Sequence, residues 1–211
     1  SEPDSGSDLA ALRTKAEKKD NIYVVNGTKL WTSGAHRCQY MIACFRTSQE
    51  EDRHGGLSQF IVDLSLPGVT IRPIIDLAGR HHFNEVIFED CEVPADMLIG
   101  EEGNGWNQVT AELALERSGP ERYLSSYILL QELVNEFSSR NDDEGVTEIG
   151  RQMAHLTTLR QMSVSVAGML DQGANPALEA SVVKDLGAVF EQELPNICLL
   201  YTSPSPRDRF L

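Results

Sequence analysis

The chain changes its hydrophobic period once, at residues 99–105, "IGEEGNG", and that change constrains the fold more than any other feature. Before it, short apolar stretches alternate with turn signals at even spacing. "IYVV" (22–25) runs into Asn26-Gly27, a strong hairpin signal. "KLWTSG", "YMIACFRT" (40–47) and "SQFIVDL" (58–64) follow, the last ending near Pro67-Gly68, a turn pair. "VTIRPI" and "NEVIFEDCEV" complete the set. In the last, Val86 and Phe88 point to one side and Glu85, Ile87 and Glu89 to the other, so one face is drier. This texture predicts a compact antiparallel β-barrel or sandwich. After residue 105, "WNQVTAELALERSGPERYLSSYILLQELVNEF" places Val109, Leu113, Leu124 and Ile128 at helical spacing. A second helix is predicted over 146–170, a loop at "DQGANP" (171–176), and a third helix over 177–194. The class is α+β: a β domain over 1–103, then a helical bundle over 104–198. Residues 199–211, "LLYTSPSPRDRFL", carry two Ser-Pro pairs and no apolar period. They read as a disordered or non-native tail, similar to translated adaptor read-through.

Composition narrows the function classes. The formal net charge of -14 repels a phosphate backbone and offers no basic face to an anionic membrane. Nucleic-acid and membrane partners are therefore not expected. No apolar run approaches the ~20 residues that span a bilayer. Cys38, Cys44, Cys91 and Cys198 form no C-x-x-C pair and no metal-ligand spacing, so reduced thiols in a reducing compartment are expected. No signal peptide is visible, although the first residue is Ser1 rather than methionine.

Two stretches could hold a ligand. In "SEPDSGSD", Gly6 could take a positive φ and turn backbone N–H groups inward as an anion nest, with the Ser7 hydroxyl adding a donor. Taken alone, the same stretch reads more readily as an acidic surface turn around Asp4 and Asp8. In "KLWTSGA" (29–35), a regular strand places Trp31 and Ser33 on one side, an aromatic wall beside a hydroxyl. That suits a planar heteroaromatic ring; the alternative is a core tryptophan closing a barrel. In "GRHHFNE" (79–85), adjacent His81 and His82 would point to opposite faces, which opposes a shared metal. One packed and one exposed histidine is the expectation there. His36, His54 and His155 look isolated. "EEGNGW" lacks the Gly-Lys-Ser/Thr of a phosphate loop and reads as the domain junction.

Taken in order, Glu-Pro-x-x-Gly-Ser-Asp, Lys-x-Trp-x-Ser, "PGVTIRPI", "NEVIFEDCEVPADMLIGEEGNGW" and "ELALERSG" resemble the acyl-CoA dehydrogenase family over residues 1–197. "GRHHFNEVIFEDCEVP" and "ERSGPER" resemble a bacterial branch. The resemblance implies a truncated acyl-CoA dehydrogenase fold, with family helices missing before Ser1 and after the third helix. It implies FAD as cofactor, an acyl-CoA substrate, electron-transfer flavoprotein as partner, and a homodimer or homotetramer at full length. Ser1, Gly6, Ser7, Trp31, Thr32 and Ser33 would contact the flavin and its pyrophosphate, Ser7 also approaching the acyl-CoA. The family's usual Thr-Asn-Gly reads Ser33-Gly34-Ala35 here. The implied location is the cytoplasm, or the mitochondrial matrix in a eukaryote.

The family reaction removes an α-proton with a glutamate and passes the β-hydrogen to flavin N5 as hydride. By resemblance to the isovaleryl and long-chain branches, Glu116 is the candidate base, and Arg117 supports the fold or the thioester end of the substrate. The base otherwise lies in a later segment. The local sequence adds one physical expectation. Pro120 cannot donate to the Glu116 carbonyl, so the helix should kink or break there. Ser118 with Glu121 could instead cap a new helix. A surface glutamate paired with an arginine is the other reading of Glu116. The competing functions are a flavin oxidase of the same fold and a non-catalytic or partner-dependent subunit. The chain alone is expected to be inactive, with weak FAD retention and exposed apolar helix faces.

Overall fold

The computed structural model describes residues 1–138 and 143–202. Strands β1 (Lys15–Lys19), β2 (Ile22–Ser33), β3 (Tyr40–Arg46), β4 (Leu57–Asp63), β5 (Val69–Ile75), β6 (His81–Pro94) and β7 (Leu98–Ile99) form one sheet. Its order is β5-β6-β2-β1-β3-β4-β7. All pairings are antiparallel except β1 with β3, and the sheet does not close on itself. Helices α1 (Gly105–Arg117), α2 (Glu121–Leu124), α3 (Tyr127–Ser138), α4 (Asp143–Asp171) and α5 (Ala177–Thr202) follow. The chain forms two compact units, Ser1–Val109 and Thr110–Leu211. An antiparallel β domain followed by helices is what the change of period led us to expect.

The alternation read in β6 is real: Asn84, Val86 and Phe88 are buried, and Glu85, Ile87 and Glu89 are less so. Tyr23, Phe45, Phe60 and Phe88 interlock at the centre, with ring centroids 4.8 to 5.6 Å apart. Such aromatic pairs add about 0.5–1.5 kcal/mol each beyond their buried area. Arg46, at the end of β3, ties the loops around this core. Its guanidinium donates to the carbonyls of Ala10, Leu12, Arg53 and Gly55.

Asn26-Gly27 makes no hairpin. It lies inside β2, where the register with β6 slips between Val25 and Gly27. Gly27 adopts φ 145°, and a Cβ there would stand 2.7 Å from the Thr14 Cα. Glycine is needed for close approach rather than for a turn. Asn26 exchanges hydrogen bonds with Asp90 instead, its side chain both donating to the Asp90 carboxylate and accepting the Asp90 N–H. The hairpin falls earlier, at Asp20-Asn21, where Asp20 has φ 51° and Lys19 pairs with Ile22.

The helical unit breaks where Pro120 requires. Helix α1 ends at Arg117 and α2 begins at Glu121. The alternative, a capping box, does not form: the Ser118 hydroxyl donates back to the Ala114 carbonyl, and Pro120 precedes α2 with no side-chain cap. Helix α5 does not stop at residue 194. It continues through Pro195 to Thr202, four residues into the segment expected to be a tail. Phe190 and Leu194 are fully buried there, so packing outweighs the lost backbone bond. The rest of that segment, 203–211, lies outside the described residues. All four cysteines are free thiols.

Candidate functional site

The loop over residues 1–8 is fastened to β2 by a buried ion pair. Glu2 and Lys29 are 7% and 6% exposed, and the Lys29 ammonium donates to the Glu2 carboxylate at 2.6 Å. The backbone N–H groups of Arg13 and Thr14 also donate to Glu2, at 2.6 and 3.1 Å. Lys29 gives a second bond to the Cys44 carbonyl at 2.5 Å, and its Nζ lies 5.3 Å from the centroid of the Phe45 ring. Burial alone would raise the Glu2 carboxyl, but the Lys29 charge and the backbone donors outweigh it, holding Glu2 below its ordinary value. Burial likewise pulls Lys29 down, with the Glu2 carboxylate opposing. With this many donors converging on one carboxylate, the ionised pair is the form the geometry supports.

The pair sets the loop beside the strand that carries Trp31. The Leu30 N–H donates to the Ser1 carbonyl at 2.9 Å. The Glu2 and Ser5 backbones exchange hydrogen bonds, and the Ser5 hydroxyl donates to the Asp8 carbonyl at 2.8 Å. Arg53 pairs with Asp8 at the far end. Gly6 and Ser7 are exposed in between. Gly6 lacks the positive φ that the nest required, and a Cβ there would meet nothing within 4 Å. The loop is therefore shaped by its anchors at Glu2, Ser5 and Asp8, not by glycine stereochemistry.

Trp31 is not a core residue. It is 57% exposed and sits at φ 60°, in the left-handed region. The cause is a second bulge: Lys29 pairs with Val86 and Thr32 with Asn84, so β2 spends three steps where β6 spends two. The regular alternation that placed Trp31 and Ser33 on one side does not apply across this bulge. The indole packs edge-on to Phe83, with centroids 5.8 Å apart, and Ser33 is exposed two residues on. A non-glycine residue held left-handed costs on the order of 1–3 kcal/mol and is characteristic of ligand clamps.

Behind the bulge lies a group that the sequence did not suggest. Asn84 is fully buried. Its Nδ2 donates to the Thr32 carbonyl at 3.0 Å. Its Oδ1 lies 3.2 Å from His36 Nδ1 and 2.8 Å from His81 Nε2. The two imidazoles stack, with centroids 3.8 Å apart. Desolvation, then the neighbouring His81, holds His36 below its ordinary value. So His36 is not isolated, and neither His81 nor His82 is packed away: both are exposed. His54 and His155 also have partners, lying against Trp106 and Phe190. Among the described residues, no group of three or more His, Cys, Asp or Glu side chains is placed to hold a metal ion.

In the helical unit, Glu116 is 61% exposed and faces Arg122 at 3.6 Å. Arg117 reaches the Ser181 hydroxyl at 3.4 Å. The structure thus places Ser1 against Leu30, next to Trp31, Thr32 and Ser33 in β2, leaves Gly6 and Ser7 exposed in the loop between Ser5 and Asp8, and holds Glu116 and Arg117 at the end of α1.

Residues 1–91 match the family described as acyl-CoA dehydrogenase, middle domain. Over longer spans, the acyl-CoA dehydrogenase IpdE1 of Mycolicibacterium smegmatis is 33% identical across 94% of the chain. The chain belongs to the acyl-CoA dehydrogenase family. The acyl-CoA dehydrogenase IpdE1 of Mycobacterium tuberculosis is 46% identical over 117 residues, 56% of the chain and 30% of that protein. The chain spans 53% of the M. smegmatis dehydrogenase and less of several others, so it represents about half of such a protein or less. Among solved structures, a variant of the Tcur3481-Tcur3483 steroid ACAD superposes with TM-score 0.84 at 25% identity, over 93% of this chain and 52% of that one. The ChsE4-ChsE5 complex of M. tuberculosis superposes with TM-score 0.78 at 29% identity, over 95% of this chain and 54% of that one.

Proposed function

We propose that this chain is the flavin-facing part of an FAD-dependent acyl-CoA dehydrogenase that introduces an α,β double bond into an acyl-CoA thioester. The observation that carries the reading is Trp31. It is an exposed indole, kept at a left-handed bulge, beside a loop that a buried ion pair pins to the same strand. An exposed aromatic face with the Ser33 hydroxyl nearby fits a flat heteroaromatic ring. The open space at Gly6 and the exposed Ser7 leave room for a phosphate. Bound FAD would supply the hydride acceptor. Trp31, Thr32 and Ser33 would orient its ring, while Ser1 and Ser7 would hold the edge of the loop. Glu116 would take the α-proton, with Arg117 keeping the end of α1 in place through Ser181. Reducing equivalents would leave through an electron-transfer flavoprotein. The 25% identity with a steroid ACAD makes polycyclic acyl thioesters the first substrates to try.

The test is anaerobic mixing of the full-length gene product with acyl-CoA, following loss of flavin absorbance. Glu116→Gln should slow bleaching by about 10²–10⁴-fold, the usual contribution of a general base, with FAD still bound. Undiminished bleaching would remove Glu116 from the role and put the base elsewhere in the protein. A second reading, a subunit that needs a different chain beside it, is favoured by the likeness to a two-chain complex. A homo-oligomer that bleaches on its own would exclude it.

A further inference from the structure

We infer that Asn84 is a positioning residue for the bulge that presents Trp31, with His36 and His81 as the donors that hold its carboxamide. The inference rests on the flavin reading of Trp31 given above.

The argument begins with burial. A fully buried carboxamide on the same face as Val86 and Phe88 must have its hydrogen bonds made inside the protein. The partners of Asn84 are the Thr32 carbonyl, next to Trp31 in the bulge, and two imidazoles. The Thr32 carbonyl can only accept. The Asn84 atom facing it must therefore be the amide nitrogen, and the atom facing the rings must be the oxygen. Each ring must then present an N–H: Nδ1–H on His36 and Nε2–H on His81. One oxygen with two lone pairs accepts both, and the rings stack with only 22° between their planes. The arrangement fixes both tautomers as well as the carboxamide.

The same cluster closes the bulge from its other side. The Gly34 N–H donates to the His82 carbonyl at 2.9 Å, and Gly34 leads into the short helical turn Ala35–Arg37 that carries His36. Beyond Trp31, the chain is thus tied to β6 at Thr32 through the Asn84 side chain, at Ser33 by ladder pairing with Phe83, and just past β2 at Gly34 through the His82 carbonyl. Without the first tie, Trp31 could leave its left-handed φ by a one-residue slip. A slip of one residue reverses the face of every side chain that follows, including Ser33. Asn84 therefore selects the bulged register over the straight one.

The test uses this chain with Trp106→Phe, so that Trp31 is the sole tryptophan, together with the full-length gene product for FAD titration. Asn84→Leu should change the Trp31 emission maximum and weaken FAD binding by about tenfold, the scale of one buried hydrogen-bonding group left unpaired. His81→Leu should act in the same direction. His81→Gln, whose amide N–H can reach the same oxygen, should restore both readings. A purely structural role at exposed position 81 would not separate Gln from Leu. Equal emission and equal FAD affinity in the two His81 variants would overturn the inference, as would an unaltered Asn84→Leu protein. If Asn84→Leu does not fold, the His81 pair decides the question. If the unsubstituted full-length protein binds no FAD, the flavin reading fails by itself, while Trp31 emission still reports on the clamp.

Discussion

The sheet unit and the helical unit bury their apolar side chains in different ways. The sheet carries one continuous cluster, from Ala16 and Tyr23 through Phe45 and Phe60 to Val93. Among the described residues, the helices carry two separate clusters, one around Tyr123, Leu159 and Phe190, the other around Ala114, Val166 and Val183. The helices also leave Leu115, Leu124, Ile128, Val164, Leu178, Val182 and Leu199 exposed. A groove of about 500 Å³ runs along α4 and α5 past Met162, Val166 and Met169. An antiparallel sheet can satisfy its dry face within itself, whereas each helix needs a neighbour along its apolar stripe. Hence Trp31 and Thr32 are fixed by contacts inside their own unit. Glu116, on an exposed surface, is held within its unit by a longer ion pair to Arg122 at 3.6 Å.

This contrast can be broken by substitutions that act on one unit at a time. The largest effect is expected from Glu2→Gln, which leaves Lys29 buried and unpaired. Removing one partner of a buried pair costs about 3–5 kcal/mol, and thermal unfolding should show it as a shift of the sheet transition. Leu159→Ala, at a fully buried helical position, should cost about 2–5 kcal/mol and move the helical transition instead. If both substitutions move a single common transition, the two units do not unfold separately and the contrast is wrong.

Acid should weaken the sheet in a defined window. Glu2 is held below its ordinary 4.5, so the folded state binds the proton less readily than the unfolded chain. Its contribution is complete above about pH 4.5 and is lost as pH falls through the lowered folded value. Acid titration of stability should show that slope, and Glu2→Gln should flatten it. The smallest effect belongs to Ile128→Ser on α3, within about 0.5 kcal/mol by denaturant unfolding, since Ile128 is already 69% exposed.

The parts of the molecule written in local pattern were legible in the sequence. The alternation at 84–88, the turn at Pro67-Gly68, the break before Pro120 and the loop before Ala177 all follow from neighbours in the chain. The errors have a common origin in distant contacts. Asn26-Gly27 reads as a turn until Thr14 and Asp90 are seen beside it. Strand β1, "KAEKK", carries a single buried side chain, Ala16, and shows no apolar period. The helix end expected at residue 194 is overridden by the burial of Phe190 and Leu194. The same holds for the site. Trp31, Thr32 and Ser33 stand together in sequence, where a motif can be read. Glu2 with Lys29, and Asn84 with His36, lie 27 and 48 residues apart and carry no shared motif.

The left-handed backbone at Trp31 sets stability against purpose. Glycine would take φ 60° there without a Cβ penalty. Trp31→Gly would relax the strand while removing the only large aromatic face that the bulge presents. A selection that rewarded thermal tolerance alone would therefore tend to erase this site. A tryptophan that persisted there across descendants would record selection for what it holds.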